Sequence, residues 1–494
     1  MNFNILSMII FLPLAGALAI GLIPGLPSKW SKYISLVFTF AVLALSVLML
    51  FRFDRHASGM QFEEIYSWLP ALNAYYRLGV DGISLPLVAM TSLLWVAAVL
   101  MSWNVENRTR EFFIWLLILE SSVLGVFCAI DILLFFTFWE IEVVPVYFLI
   151  SIWGSGDKRR SATKYVLYTL LGSALMLAGI VSLYYATGSL DMVTIAQSGA
   201  AIAQTLLPAT PIFFLLLAGF AIKLPVVPLH NWLPDAHTAA PTAVTVLLAG
   251  SLIKMGAYGM IRLCVSMFPE IARRYAPLML TLAVISVIYG GVLALRQTHL
   301  KRLIAYSSIS HMGFVLLGIF ALSQTSLIGA SLQMVSHSLI TALLFGTAAI
   351  ITHNTGESDI MRLGGLARQM PATATFFILA GLGALGLPST SGFAAEFTIF
   401  LGSFSGSEVA GAKIFVLIAL LGVLLAAAYV LWAIQRVLFG PVLPVFNDSR
   451  DADWRQKTYC GLFVILIFFV GLYPTAVVSI VQNSTAVVIK LLGG

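Results

Sequence analysis

Long apolar runs separated by short polar ones dominate this 494-residue chain. The runs last about 20 residues and lack period-two alternation, which predicts membrane-crossing helices and not barrel strands. Backbone polar groups in hydrocarbon must be satisfied internally, so helices are the form such runs take. Fourteen spans are expected, at roughly 3–24, 31–51, 84–103, 112–130, 132–153, 163–186, 208–228, 241–263, 275–295, 301–322, 326–353, 372–403, 411–437 and 459–488. They are numbered 1 to 14 below. The expected fold is therefore an all-α polytopic membrane protein. Two longer polar stretches stand between spans. Residues 52–82, with Tyr66, Trp68 and Tyr75, are expected at the membrane surface, and the charged connector 438–458 is expected in water. The first run, Ile5 to Leu22, lacks a basic leader and an A-x-A-like site, so it is expected to be a retained span.

Composition sharpens this picture. The chain is 60% hydrophobic and 10% charged, with a mean hydropathy of +0.99. A soluble domain carries about 25% charged residues. Cys128, Cys264 and Cys460 are far apart and form no C-x-x-C pair, so no disulfide framework, iron–sulfur site or zinc site is expected. The net charge is +6. When the loops are assigned alternately to the two sides, seventeen Lys and Arg fall on one side. Eight, Arg262, Arg273 and Arg274 among them, fall on the other. The positive-inside rule makes the richer side cytoplasmic and turns both termini outward. The charge thus reflects loop topology and not nucleic-acid binding.

The polar residues inside the spans carry the candidate chemistry. Lys223 and Lys254 lie in spans 7 and 8, where a central lysine costs about 2.5–3.5 kcal/mol on insertion scales. Pro225 and Pro228 interrupt span 7 beyond Lys223, and freed carbonyls there can bind water. Leu217-Ala-Gly…Lys223-Leu-Pro225 is echoed by Leu379-Ala-Gly…Gly386-Leu-Pro388 in span 12. Paired interrupted spans mark inverted-repeat transporters with a working site at the breaks. In span 5, Glu140 is the expected partner of Lys223, either as a structural ion pair or as a pair whose strength changes in a pumping cycle. Glu142, two positions on, points about 200° away and is expected to meet another helix or a neighbouring subunit.

Lys254 has no acid within one turn. His230 lies seven residues after Lys223, on the same face of an unbroken helix. His311 and His337 have hydroxyl neighbours, and Glu396 follows the break in span 12. Histidine can accept a proton on one nitrogen while donating from the other, which suits a relay. Glu120 in span 4 is a secondary candidate. Asp235 and His237 form either a polar turn or a proton-uptake point, and Asp131 is expected to cap a helix. The histidines lack i,i+4 pairs and adjacent carboxylates, so no metal site is expected. There is also no G-x-G-x-x-G in a βαβ setting.

Four runs carry a family resemblance. They are Phe138-Trp-Glu140-Ile-Glu-Val-Val-Pro145-Val-Tyr, His230-Asn-Trp-Leu-Pro-Asp-Ala-His237, Leu248-Ala-Gly-Ser-Leu-Ile-Lys254-Met-Gly and Lys301-Arg-Leu-Ile-Ala-Tyr-Ser-Ser-Ile-Ser-His311. Over nearly its whole length the chain resembles the antiporter-like membrane subunits of proton-pumping NADH:quinone oxidoreductase, respiratory complex I. The second and third runs also occur in Mrp-type sodium/proton antiporters and membrane-bound hydrogenases. Trp-Glu-x-x-x-Val-Pro-Val-Tyr and the glutamate at 396, where subunits L and N carry lysine, resemble subunit M (chain 4).

The resemblance implies fourteen helices, with spans 4–8 and 9–13 as two inverted five-helix repeats and spans 7 and 12 broken. The corresponding units are 1–111, 112–263, 264–440 and 441–494. It further implies that Glu140 and Lys223 form the coupling pair, that Lys254 is the central relay, that Glu396 ends the path, and that His230, His311 and His337 join them. NADH, FMN, iron–sulfur clusters and quinone would be held by partner subunits, with L- and N-type neighbours beside this chain and no cofactor on it. The setting would be a bacterial inner membrane or an equivalent energy-transducing one. Rival expectations are a sodium/proton antiporter subunit, a membrane subunit of a hydrogenase or a ferredoxin-fed photosynthetic complex, and a spacer that only links pump subunits.

Overall fold

The computed structural model describes residues 4–197, 208–441, 443–447 and 449–493. Among them, twelve helices are long and apolar enough to cross a membrane: Ile5–Leu22, Ser28–Arg52, Ser84–Met101, Thr109–Cys128, Ile132–Trp153, Lys158–Thr187, Thr242–Val265, Pro269–Leu295, Leu300–Phe320, Gln324–Thr355, Ala412–Leu438 and Trp454–Leu472. Two further spans are interrupted. Span 7 consists of Ala209–Lys223 and Trp232–Ala239, and span 12 of Pro371–Ala384 and Ser391–Ser405. These twelve and the two broken spans make the expected fourteen. The two breaks stand five spans apart, as a pair of five-span repeats requires.

Burial separates core from periphery. The most apolar window of span 8 is wholly buried, and those of spans 10 and 11 are 94% buried, whereas those of spans 2 and 14 are 28% buried. Spans 8, 10 and 11 thus form the axis of the bundle, and they hold Lys254, His311 and His337. The outer spans present leucine, isoleucine and phenylalanine to their surroundings, as lipid requires.

The breaks have local causes. After Lys223 the prolines end the first half of span 7, and the Trp232 indole donates to the freed carbonyl of Ile222 at 2.8 Å. The Ser286 hydroxyl accepts from the Val227 amide at 3.1 Å. In span 12, Gly386 turns at φ +73°, a conformation open to glycine at little steric cost. Span 8 is irregular in another way: π-helical stretches at Leu248–Leu252 and Met260–Val265 flank a short α-helix that carries Lys254. Such bulges misalign carbonyls and collect at functional sites.

The structure departs from the sequence expectation in three places on the face that carries the chain termini. The polar stretch 52–82 holds an antiparallel hairpin, β1 (Gln61–Leu69) and β2 (Ala74–Val80). Its Glu64 is buried and accepts from the Leu6 and Ser7 amides at 2.8 and 3.2 Å, capping span 1. Span 14 ends at Leu472. Pro474 starts a separate helix, Thr475–Leu491, because a 30-residue run exceeds what one crossing needs. That helix lies along the terminal face between Arg55, which meets Ser479, and Arg273, which meets Leu492. It passes so close to Gly82 that a Cβ there would stand 1.9 Å from the Ile480 carbonyl oxygen. Finally, Arg262, counted with the loops, lies in span 8 and is ion-paired with Asp81. Asp131 does cap span 5, accepting from the Leu133 and Leu134 amides.

The charged connector is more than a solvated loop. Asp451 accepts from the Ala372 and Thr373 amides and the Thr373 hydroxyl at 2.8, 3.0 and 2.7 Å, capping the first half of span 12. Partial burial raises its pKa, but these hydrogen bonds outweigh burial and hold the carboxyl below the usual range. Its stabilisation is therefore present at neutral pH and is lost as the pH falls through the lowered folded-state value. Asp451→Ala is expected to remove about 1 kcal/mol at pH 7, read as a lower thermal midpoint in detergent, with the difference from the parent chain vanishing in acid. An equal deficit at both pH values would contradict the capping role.

Candidate functional site

Span 5 presents two carboxylates on different faces. Glu142 is wholly buried, while Glu140 is half-buried beside the exposed Ile141 and Val144. The ion pair of Lys223 is with Glu142 and not, as the sequence suggested, with Glu140. The 200° offset was read correctly, but the inward face is the one that holds 142. The Tyr165 hydroxyl donates to Glu142 at 2.7 Å and accepts from Lys223 at 3.0 Å. The ammonium also lies 5.3 and 5.6 Å from the ring centres of Tyr165 and Trp139. The pair is thus sealed from water, and one carboxylate, one phenol and two aromatic faces surround the Lys223 ammonium.

Lys254 starts a second series. Its ammonium donates to the Ala249 carbonyl, which the π-helical stretch leaves free, and lies 2.8 Å from His337 Nδ1. The His337 and His311 rings are 5.7 Å apart between centres. His311 Nδ1 lies 3.2 Å from Glu396 Oε1, and His311 Nε2 lies 3.3 Å from the Tyr429 hydroxyl. A cavity of about 10 Å³, lined by Ser307, His311, Gln333, His337 and Glu396, sits among these groups. That is close to the space one water needs, about 10–15 Å³. His337 Nε2 and Gln333 Oε1 are buried there without a hydrogen-bond partner among the described residues. Spans 8, 10, 11 and 12 thus bring Lys254, His337, His311 and Glu396 into one run.

Other candidates stand apart. Span 8 backs directly onto the end of the first half of span 7: a Cβ on Gly256 would lie 2.7 Å from the Leu224 amide. That packing brings the two lysine-bearing segments together, but no contact joins the side chains. The break separates His230 from Lys223. The His230 ring meets Tyr289 at 5.1 Å between centres, and neither of its nitrogens has a side-chain hydrogen-bond partner among the described residues. His237 is buried against Phe345, without a hydrogen-bond partner among the described residues. Glu120 is fully buried, and neither of its oxygens has a partner among the described residues.

Asp235 faces the side opposite the termini. It pairs with Lys164 at 2.6 Å and Arg302 at 3.5 Å on the wall of a cavity of about 500 Å³. His299, in the loop beside it, is held below the usual imidazole range by burial and by Lys301 and Arg302. Sequence reasoning missed Tyr165 and Tyr429. The available signal was that a tyrosine inside an apolar span needs a partner for its hydroxyl.

A model of the family described as NADH:quinone oxidoreductase/Mrp antiporter matches residues 129–422, which include Glu142, Tyr165, Lys223, Lys254, His311, His337 and Glu396 but not Tyr429. The chain belongs to that family. It is 38% identical, over 98% of its length and 96% of the relative's, to NADH-quinone oxidoreductase subunit M of Rhodobacter capsulatus. It is 40% identical, over 96% and 90%, to NAD(P)H-quinone oxidoreductase chain 4 of a Synechococcus strain. A chain of respiratory complex I from Thermus thermophilus superposes with a TM-score of 0.87 at 27% identity, covering 99% of this chain and all of that one. A chain of a membrane-bound sulfane sulfur reductase, an archaeal respiratory complex, superposes at 0.84 with 26% identity, covering 95% and 76%. The resemblance to subunit M is thus borne out, and the chain is a multi-pass membrane member of the family.

Glu142→Gln leaves Lys223 buried without a counter-charge and is expected to cost about 3–5 kcal/mol. Glu140→Gln, at a half-buried position, is expected to cost under about 1 kcal/mol. Thermal midpoints of the purified assembly report both, and the double variant Glu142→Gln/Lys223→Gln should regain most of the loss. The reverse ranking would place the pair at Glu140.

Proposed function

We propose that this chain moves protons outward across the membrane as an arm subunit of an NADH:quinone oxidoreductase, driven by quinone reduction in other subunits. The observation that carries this reading is the buried series Lys254–His337–His311–Glu396. Lys254 passes a proton to His337 Nδ1. The imidazolium releases its Nε2 proton toward the small cavity, and His311 delivers it to Glu396. Each step joins groups that can both accept and release a proton. Lys223, Glu142 and Tyr165 form the switchable pair. When the pair opens, the uncovered charge of Lys223 pushes the proton from Lys254. Glu140, half-buried on the side of span 5 that exposes Val144, suits contact with a neighbouring antiporter-like subunit of L or N type.

The functional units are the repeats 112–263 and 264–440, flanked by 1–111 and 441–494. The basic face with Asp235, Lys164 and Arg302 is the cytoplasmic side, where protons enter past His237. The termini face the outside of a bacterial inner or equivalent membrane. NADH, FMN, iron–sulfur clusters and quinone belong to partner subunits, and this chain carries no redox group.

The Mrp half of the family description keeps sodium/proton exchange as a second reading. Lys254→Ala in the assembled complex is expected to lower proton pumping per electron transferred while assembly persists, read by a fluorescent ΔpH probe beside the NADH oxidation rate. Unchanged pumping would sink the relay. Sodium transport by the assembly that disappears in Glu140→Gln would favour the antiporter.

A further inference from the structure

The cavity of about 500 Å³ on the side opposite the termini has a wall that includes Gly156, Arg160, Lys164, Asp235, His299 and Arg302. Two helices start at its edge. Span 6 begins at Lys158 and span 10 at Leu300, and no side chain caps either start. The Lys158 and Leu300 amides bond the Gly156 and Ser358 carbonyls at 2.7 and 3.0 Å. The amides of Arg159, Arg160, Lys301 and Arg302 have no partner among the described residues. An open helix start carries partial positive charge and unused N–H donors, and here two such starts share one cavity.

The fold shows what is missing there. Span 5 starts from a small backbone bridge, in which the Ile132 and Met192 amides bond the Leu190 and Ile130 carbonyls at 2.8 and 3.0 Å. The same bridge recurs at span 10, where the Leu300 and Ile360 amides bond the Ser358 and Thr298 carbonyls at 3.0 and 2.7 Å. Before span 5 stands Asp131, which caps the helix. At the matching place before span 10 stands His299, whose Nδ1 is buried without a hydrogen-bond partner among the described residues. The carboxylates nearby do not balance the cations. Asp235 is shared between Lys164 and Arg302, Asp157 lines the wall without capping span 6, and Arg160 meets no acidic side chain among the described residues. Three side-chain cations and two helix starts thus face two carboxylates, an arrangement suited to an outside anion.

Span 6 says which anion. Arg160, Lys164, Leu167 and Leu171 follow one another at steps of four, three and four residues, so they form one stripe along the helix. The first two line the cavity. The next two are 63% and 58% exposed and lead about 10 Å further into the bilayer. A soluble anion would use the cavity alone, whereas a phospholipid uses both parts of the stripe. We propose that the cavity binds the phosphate headgroup of an anionic phospholipid, with an acyl chain along Leu167 and Leu171. The phosphate accepts from the open amides of the two helix starts, from Arg160 and Arg302, and from His299 Nδ1. A basic pocket between spans at the membrane surface is where such headgroups are held. The lipid would tie span 6 to span 10, and so one half of the bundle to the other.

The test uses the assembled complex in vesicles that hold a phosphatidylglycerol with a photoreactive group on its acyl chain, or a phosphatidylcholine with the same chain. Illumination followed by peptide mapping reads the labelled residues. Phosphatidylglycerol is expected to label the stretch Leu167–Leu171 several-fold more than phosphatidylcholine. Arg160→Gln should lower that labelling about fivefold, the factor of one basic residue at a membrane surface. His299→Asp, which restores the cap and adds a negative charge, should lower it as well, with labelling elsewhere on the chain unchanged. Equal labelling by the two lipids overturns the proposal in favour of ordinary bilayer contact, and so does labelling that ignores Arg160→Gln. Millimolar inorganic phosphate that abolishes the preference for phosphatidylglycerol overturns it in favour of a soluble anion. If His299→Asp fails to assemble, Arg160→Gln decides, because its exposed side chain has no acidic partner to lose.

Discussion

A charge buried in an apolar bundle must find a counter-charge, a free carbonyl or water, and this requirement shapes the centre of the molecule. Straight helices offer none of these, because every carbonyl in them is already bonded. The chain answers by breaking helices where its charges sit. Span 7 ends at Lys223, span 12 breaks ten residues before Glu396, and span 8 loosens into π-helical turns on both sides of Lys254. The irregular backbone is tolerated because spans 8, 10 and 11 are the most enclosed in the bundle.

The two lysines solve the problem in opposite ways. Lys223 is saturated: a carboxylate, a phenol and two ring faces surround its ammonium. Lys254 has only a carbonyl and one histidine nitrogen. A saturated cation holds its proton, while one with neutral acceptors can give it up. On the proposed function, the difference supports Lys223 as the switch and Lys254 as the carrier on chemical grounds. It also explains why the breaks differ. A proline break ends a helix at a fixed point, whereas a π bulge leaves a carbonyl within reach of the Lys254 side chain.

Much of this was legible in the sequence. Span number, the two interrupted spans, the central lysines and the run through His311, His337 and Glu396 follow from apolar run length, Pro and Gly positions, and the rarity of charge in lipid. The partner of Lys223 was not legible. Glu140 and Glu142 lie two residues apart, and periodicity shows that they face different ways without showing which way is inward. The orientation of span 5 depends on how Trp139 and Phe135 pack against Phe220 of span 7, a contact between distant segments. The hairpin was hidden for a related reason: its strands mix charged and aromatic residues without a clean alternation, and Glu64 stabilises it by capping a helix more than fifty residues away.

Asp81 and Arg262 show the same limit from the other direction. In the sequence Asp81 opens a span and Arg262 closes one, so each passes for an ordinary loop charge at the membrane edge. Only the packing of span 8 through the centre of the bundle draws Arg262 inside and places Tyr258 between it and Lys254. A charge at a span terminus is inexpensive when it can reach water and costly when a hairpin and a surface helix close over it. Here both do: Gly82 admits the helix Thr475–Leu491 against the hairpin's end, and the ion pair lies beneath. The enclosure of Arg262 is therefore a consequence of the terminal-face elements.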